Sequence, residues 1–100
     1  MTRVRLTRRA KNDLLDIWEL IAEDDIGAAD KVYARIEKRF DELADFPRLG
    51  STRPDIGAGV RALLSGRFLI LYWIEERTVT VVRVVDGVRD LRDLAGLHEP

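Results

Sequence analysis

Cysteine is absent from the 100 residues, which excludes disulfide bridges, thiolate metal sites and cysteine nucleophiles. Histidine is nearly absent too: the single one, His98, stands two residues before the last residue given. It reads as a solvated tail residue rather than a catalytic one. A transition-metal site would have to be built from carboxylates alone, so neither a metal nor another cofactor is expected. The acid cluster Glu23-Asp24-Asp25 reads as a solvated helix junction. Gly57-Ala58-Gly59 lacks the spacing of a phosphate-cradling loop, and neither a nucleophile elbow nor a base–nucleophile constellation is present. No apolar run is long enough to span a bilayer, and MTRVRLTRRAK lacks the apolar core of a signal peptide. The expectation is a soluble, cytoplasmic protein. Repeats, linkers and low-complexity segments are also missing, so residues 1–100 read as one domain.

Charge is plentiful and nearly balanced, with 17 basic and 18 acidic residues, but it is unevenly spread. Arg3, Arg5, Arg8, Arg9 and Lys11 occur before the first acid, and acids dominate from Asn12 to Phe46. Beyond that point every positive charge is arginine: Arg48, Arg53, Arg61, Arg67, Arg77, Arg83, Arg89 and Arg92. Arginine suits bidentate recognition of carboxylate or phosphate and tolerates interfaces. A GC-rich genome would produce the same bias.

Three runs rich in β-branched and aromatic residues dominate the second half: Val60–Ser65, Phe68–Glu75 and Val79–Asp86. Hairpin-length gaps separate them, which predicts an antiparallel meander. Arg3–Leu6 alternates enough for a short first strand. Thr7 offers an N-cap for a helix starting at Arg8 or Arg9, whose stripe is Ala10, Leu14, Ile17, Trp18 and Ile21. Two arginines in its first turn oppose the helix dipole, which an anionic neighbour would explain. A second helix carries Ala29, Val32, Ile36, Phe40 and Leu43, bordered by Tyr33, and Pro47 ends it. Ser51–Gly59 reads as a loop. The tail RDLRDLAGLHEP allows one short helical turn through Leu91 and Leu94. The fold class is therefore α+β: a short N-terminal strand, an α-helical hairpin, then a three-stranded antiparallel meander.

The middle strand is apolar on both faces, Phe68, Ile70, Tyr72 and Ile74 on one and Leu69, Leu71 and Trp73 on the other. Two helices can cover only one face of a sheet. The other is either folded away within the chain or covered by a partner, and the partner is the reading taken. The structural alternative is that all of these side chains are core. Clustered arginines could support RNA cleavage by charge, given a general base such as tyrosine, but Tyr33 and Tyr72 are poorly placed for that work. The residues favour a binding module over an enzyme.

The element order and four phrases resemble the RelE/ParE superfamily of type II toxin–antitoxin toxins. The phrases are LTRRAKNDLLDIWELIA, AADKVYARIEKRFDELADFPRLG, GVRALLSGRFLILYWI and VVRVVDGVRDLRDL. Ala10, Asp13, Leu14, Ile17, Pro47, Gly50, Arg61, Tyr72, Arg83 and Val84 stand where that pattern would put them. The resemblance implies one of two activities. RelE-like members are ribosome-dependent mRNA endoribonucleases, and this chain departs from their pattern. Leu69 occupies the place of an expected catalytic arginine, Asp86 that of a histidine, and Asp93-Leu94 stands in place of a terminal tyrosine. The ParE-like branch is the better match. It implies a growth-arresting inhibitor of DNA gyrase, more an inhibitor than an enzyme, neutralised by a ParD-like antitoxin in a hetero-oligomer. DNA would be met only through antitoxin or gyrase. On that reading Leu69, Leu71 and Trp73 are the antitoxin-binding candidates, and Arg61, Arg67, Arg83, Arg89 and Arg92 the target-binding ones. Arg83 has a second reading, in which it pairs with an acid such as Asp90 and braces the tail.

Overall fold

The computed structural model describes residues Thr2–Gly87. The chain forms strand β1 (Arg3–Leu6), helices α1 (Arg8–Ala22) and α2 (Ile26–Asp45), and strands β2 (Ser51–Thr52), β3 (Arg61–Ser65), β4 (Phe68–Glu75) and β5 (Thr78–Asp86). Both helices start where a side-chain oxygen satisfies a free backbone N–H. The Thr7 hydroxyl accepts from Ala10 N at 3.1 Å, and the Asp25 carboxylate accepts from Ala28 N at 3.0 Å. Thr7 also donates to Val82 O at 3.2 Å, fastening the start of α1 to the sheet. α2 ends at Asp45, where Phe46 N makes the last helical bond, to Glu42 O at 2.8 Å, and Pro47 has no N–H to continue.

The meander β3-β4-β5 is the centre of a larger, mixed sheet ordered β1-β5-β4-β3-β2. β1 lies parallel to β5, from Arg3 against Thr78 to Leu6 against Val81. The segment read as a loop contributes β2, two residues paired antiparallel with Arg61 and Ala62. β5 is thus an interior strand, and its valines are buried on both faces: Val79, Val81 and Val84 on one, Val82 and Val85 on the other. Leu71 pairs with Arg83 and Tyr72 with Val81, so Val82 is the extra residue of a bulge. The bulge resets the alternation, moving the helix-facing positions from odd-numbered to even-numbered residues.

The helical hairpin covers one face of this sheet. Ala10 and Leu14 of α1 and Ile36 and Leu43 of α2 meet Leu63, Phe68, Ile70, Tyr72, Val79, Val81 and Val84 there. Each fully buried aliphatic side chain contributes about 1.5–3 kcal/mol relative to exposure. Trp18 sits at the border of its stripe and donates to Asp30 Oδ1 at 2.9 Å, linking the two helices. The opposite face is not bare. Leu69, Leu71, Trp73, Val82 and Val85 form a second buried cluster with Ile56 and Val60, which come from the segment after β2. A bidentate Arg53–Asp55 pair braces that segment at 2.9 and 2.8 Å, and the guanidinium holds the Asp55 carboxyl below its ordinary value. Among the described residues no helix is long and apolar enough to cross a membrane.

Candidate functional site

Beyond Leu6, β1 no longer covers the edge of β5, and a carboxylate from α1 takes over. Asp13 Oδ2 accepts from Val84 N at 3.0 Å and from Arg83 Nε at 2.8 Å, and Oδ1 lies 3.4 Å from Arg83 Nη2. Arg9 approaches the same carboxylate at 3.7 Å, one helical turn back. Asp13 is buried, so this arrangement satisfies a backbone donor and pairs the Arg83 guanidinium with a carboxylate in one place. It also supplies an anionic neighbour for Arg9, one of the two arginines of the first turn. Arg83 is therefore held by Asp13; Asp90 lies outside the described residues.

A second ion pair lines the same groove. Arg67, in the β3–β4 turn, donates to Asp86 at the end of β5 and lies with its guanidinium carbon 5.7 Å from the Phe68 ring centre. The same groove is lined by Asn12, Asp16, Ile17, Leu20 and Ile21 of α1 and Val32 and Arg35 of α2. Among the described residues no group of three or more histidine, cysteine, aspartate or glutamate side chains is placed to hold a metal ion.

Arg61 belongs to a different construction. Its Nη1 donates to Gly50 O at 2.7 Å and reaches Arg48 O at 3.4 Å. Tyr72, buried in the middle of β4, donates its hydroxyl to Pro47 O at 2.7 Å and accepts from Gly50 N at 2.8 Å. Together they clamp the turn that carries the chain from α2 to the sheet. Burial pushes the Tyr72 phenol above its ordinary value, opposed by the Gly50 N–H and the Arg61 charge. A Cβ on Gly50 would meet Ala62 O and the Tyr72 ring at 2.8 Å, so only glycine admits this approach.

The structure thus divides the arginine candidates. Arg61 and Arg83 are tied to the fold, Arg67 has a side chain 61% exposed, and Arg89 and Arg92 lie outside the described residues, as does the expected tail turn through Leu91 and Leu94. Leu69, Leu71 and Trp73 share the face away from the helices and are 7%, 0% and 6% exposed. Trp73 also donates its indole N–H to Glu75. Sequence reasoning passed over Asp13 as a site residue, yet a signal existed: it lies three residues after Ala10 and four before Ile17, an acid on the buried stripe of an amphipathic helix.

Residues 4–91 match the family model described as "ParE toxin of type II toxin-antitoxin system, parDE". The chain belongs to this family. Two relatives from Caulobacter vibrioides agree along most of their length. Toxin ParE3 is 33% identical over 92 residues, covering 91% of this chain and 92% of its own. Toxin ParE1 is 38% identical over 85 residues, covering 81% and 84%. A solved chain described as "Chromosomal ParDE TA system from P. aeruginosa" superposes with a TM-score of 0.74 over 86% of this chain and 96% of its own, at 22% identity. The last comparison speaks for the ParE fold: an N-terminal strand and two helices on a mixed five-stranded sheet.

Proposed function

We propose that this ParE family toxin arrests growth by inhibiting DNA gyrase and is neutralised by direct binding of a ParD-like antitoxin. The observation that carries the reading is the family match over residues 4–91. The site chemistry agrees with it. A nuclease working by acid–base catalysis needs a proton-transfer partner within hydrogen-bonding reach of its substrate. Tyr72 is buried and spends its hydroxyl on Pro47 and Gly50, Leu69 fills the place of an arginine, and Arg83 is committed to Asp13. These features argue for a protein inhibitor over an mRNA endoribonuclease.

On this reading Arg67 is the described arginine best placed to meet an acidic surface or a DNA phosphate on the target, with Arg89 and Arg92 as further candidates in the tail. Arg61 and Arg83 contribute by holding the surface around them. The antitoxin lies over the sheet face built on Leu69, Leu71 and Trp73, against the outer side of the segment that carries Ile56 and Val60. Action in the cytoplasm follows from such a target. Induction of the toxin in growing cells tests the proposal. Growth arrest with chromosome breakage, relieved by the antitoxin encoded beside it, supports gyrase as the target. Arrest with intact DNA and cleaved messenger RNA rejects it.

A further inference from the structure

At the end of the sheet away from Arg67, the turn after α2 and the β4–β5 turn form a separate apolar hollow. Phe46, Pro47, Leu49 and Ile74 line it, and Phe46 and Leu49 are 67% and 42% exposed. Single exposed apolar residues are ordinary on a protein surface, whereas a contiguous group with a charged rim marks an interaction surface. The rim carries two acids and two arginines: Asp45, Arg48, Glu76 and Arg77. All four are exposed, and among the described residues none of their side chains enters a hydrogen bond or ion pair. The surface is also stiff. The Tyr72 hydroxyl and the Arg61 guanidinium hold the carbonyls of Pro47, Arg48 and Gly50, and Leu49 N donates to Phe46 O at 3.0 Å. With its backbone bonded inward, the turn presents Phe46, Arg48 and Leu49 already ordered, which lowers the cost of binding.

The balance of the rim decides what fits. A nucleic acid calls for arginines alone, and a strongly charged protein partner calls for one sign. A two-fold axis instead brings a patch against its own copy, so a charged rim there has to carry both signs. We propose that this surface pairs with a second copy of the chain. Phe46 and Leu49 of the two copies pack at the centre, and the arginines of each rim meet Asp45 and Glu76 of the other. Nine residues line the hollow, against roughly 20–30 a side in a standard interface, so the pairing is weak and concentration-dependent. β4 separates this surface from the β3–β4 turn by roughly 23 Å over its eight residues. Arg67 therefore stays free in both copies, and the dimer presents it twice.

Sedimentation of the full chain tests this, together with charge-reversed variants. One variant carries Arg48→Glu with Arg77→Glu, the other Asp45→Lys with Glu76→Lys. Because these positions are exposed, both variants are expected to keep the native circular-dichroism spectrum. The native chain is expected to pass from monomer to dimer as its concentration rises towards about 1 mM. Each variant alone is expected to stay monomeric over that range through like-charge repulsion, and an equimolar mixture of the two to recover the dimer. Phe46→Ser, which leaves the rim intact, is expected to weaken self-association about tenfold or more. A native chain that is still monomeric at about 1 mM would overturn the proposal. So would a mixture that stays monomeric, or a dimer that the reversals and Phe46→Ser leave unchanged, which assigns pairing to another face.

Discussion

The Asp13 carboxylate accepts from Arg83 and Val84 N, so its removal strands a buried backbone donor and leaves the largely buried Arg83 guanidinium without its partner. Asp13→Ala is expected to cost about 3 kcal/mol, the scale for breaking a buried pair by deleting one partner, read as a fall in the urea midpoint. Tyr72→Phe strands the Gly50 N–H and takes a donor from Pro47 O, at a cost of about 1–3 kcal/mol. The Tyr72 phenol also links stability to pH. Its ordinary value is 10.0 and burial raises it in the folded chain, so the folded form holds the proton more tightly than the unfolded form. The stabilisation is complete below pH 10.0 and is lost as pH rises through the raised folded value. Urea titrations between neutral and strongly alkaline pH are expected to show this decline in the native chain and a shallower one in Tyr72→Phe. The burial of Tyr72 was legible from the alternation of its strand, but its hydroxyl partners were not, because Pro47 and Gly50 lie 25 and 22 residues away.

Among the elements, the β4–β5 hairpin carries a visible strain. Its two-residue turn places Glu76 at φ 55°, whereas the β3–β4 turn places a glycine, Gly66, at φ 59°. A side chain in the left-handed region costs roughly 1–2 kcal/mol, and asparagine tolerates that region better than glutamate. Glu76→Asn is therefore expected to raise stability by up to about 1 kcal/mol, seen as a higher thermal midpoint. The two helices, the Thr7 cap and four of the five strands were readable from periodicity and end signals, since those are local. The parallel pairing of β1 was not, because RVRL shows a strand without naming its neighbour. A partial signal lay in β5: a valine run buried on both faces marks an interior strand, and an interior strand needs a second neighbour besides β4. The cover of Ile56 and Val60 over the second face was hidden for a different reason. A single isoleucine and a single valine among glycines and prolines have no period to betray them, although Arg53 and Asp55 hold the segment in place.

For the molecule as a whole, the arginines that appeared equivalent in sequence divide by what they touch. Arg61 clamps the turn after α2 and Arg83 fastens β5 to α1, whereas Arg67 extends from the end of the sheet with most of its side chain in solvent. Arg67→Ala is expected to cost about 1–2 kcal/mol, between the scales for exposed and buried pairs because Arg67 is exposed and Asp86 is buried, while weakening growth arrest in an induction assay. Preserved toxicity in a folded Arg67→Ala chain would remove that residue from target binding. The family of the chain was readable from phrases spread along most of its length, but the division of its arginines became visible only with their partners in place. The measurement that bears most directly on the proposed function is a supercoiling assay with purified gyrase, with and without the cognate antitoxin. The account predicts loss of supercoiling or accumulation of cleaved plasmid, reversed by the antitoxin. Unimpaired supercoiling in the presence of folded toxin that still arrests growth would contradict it.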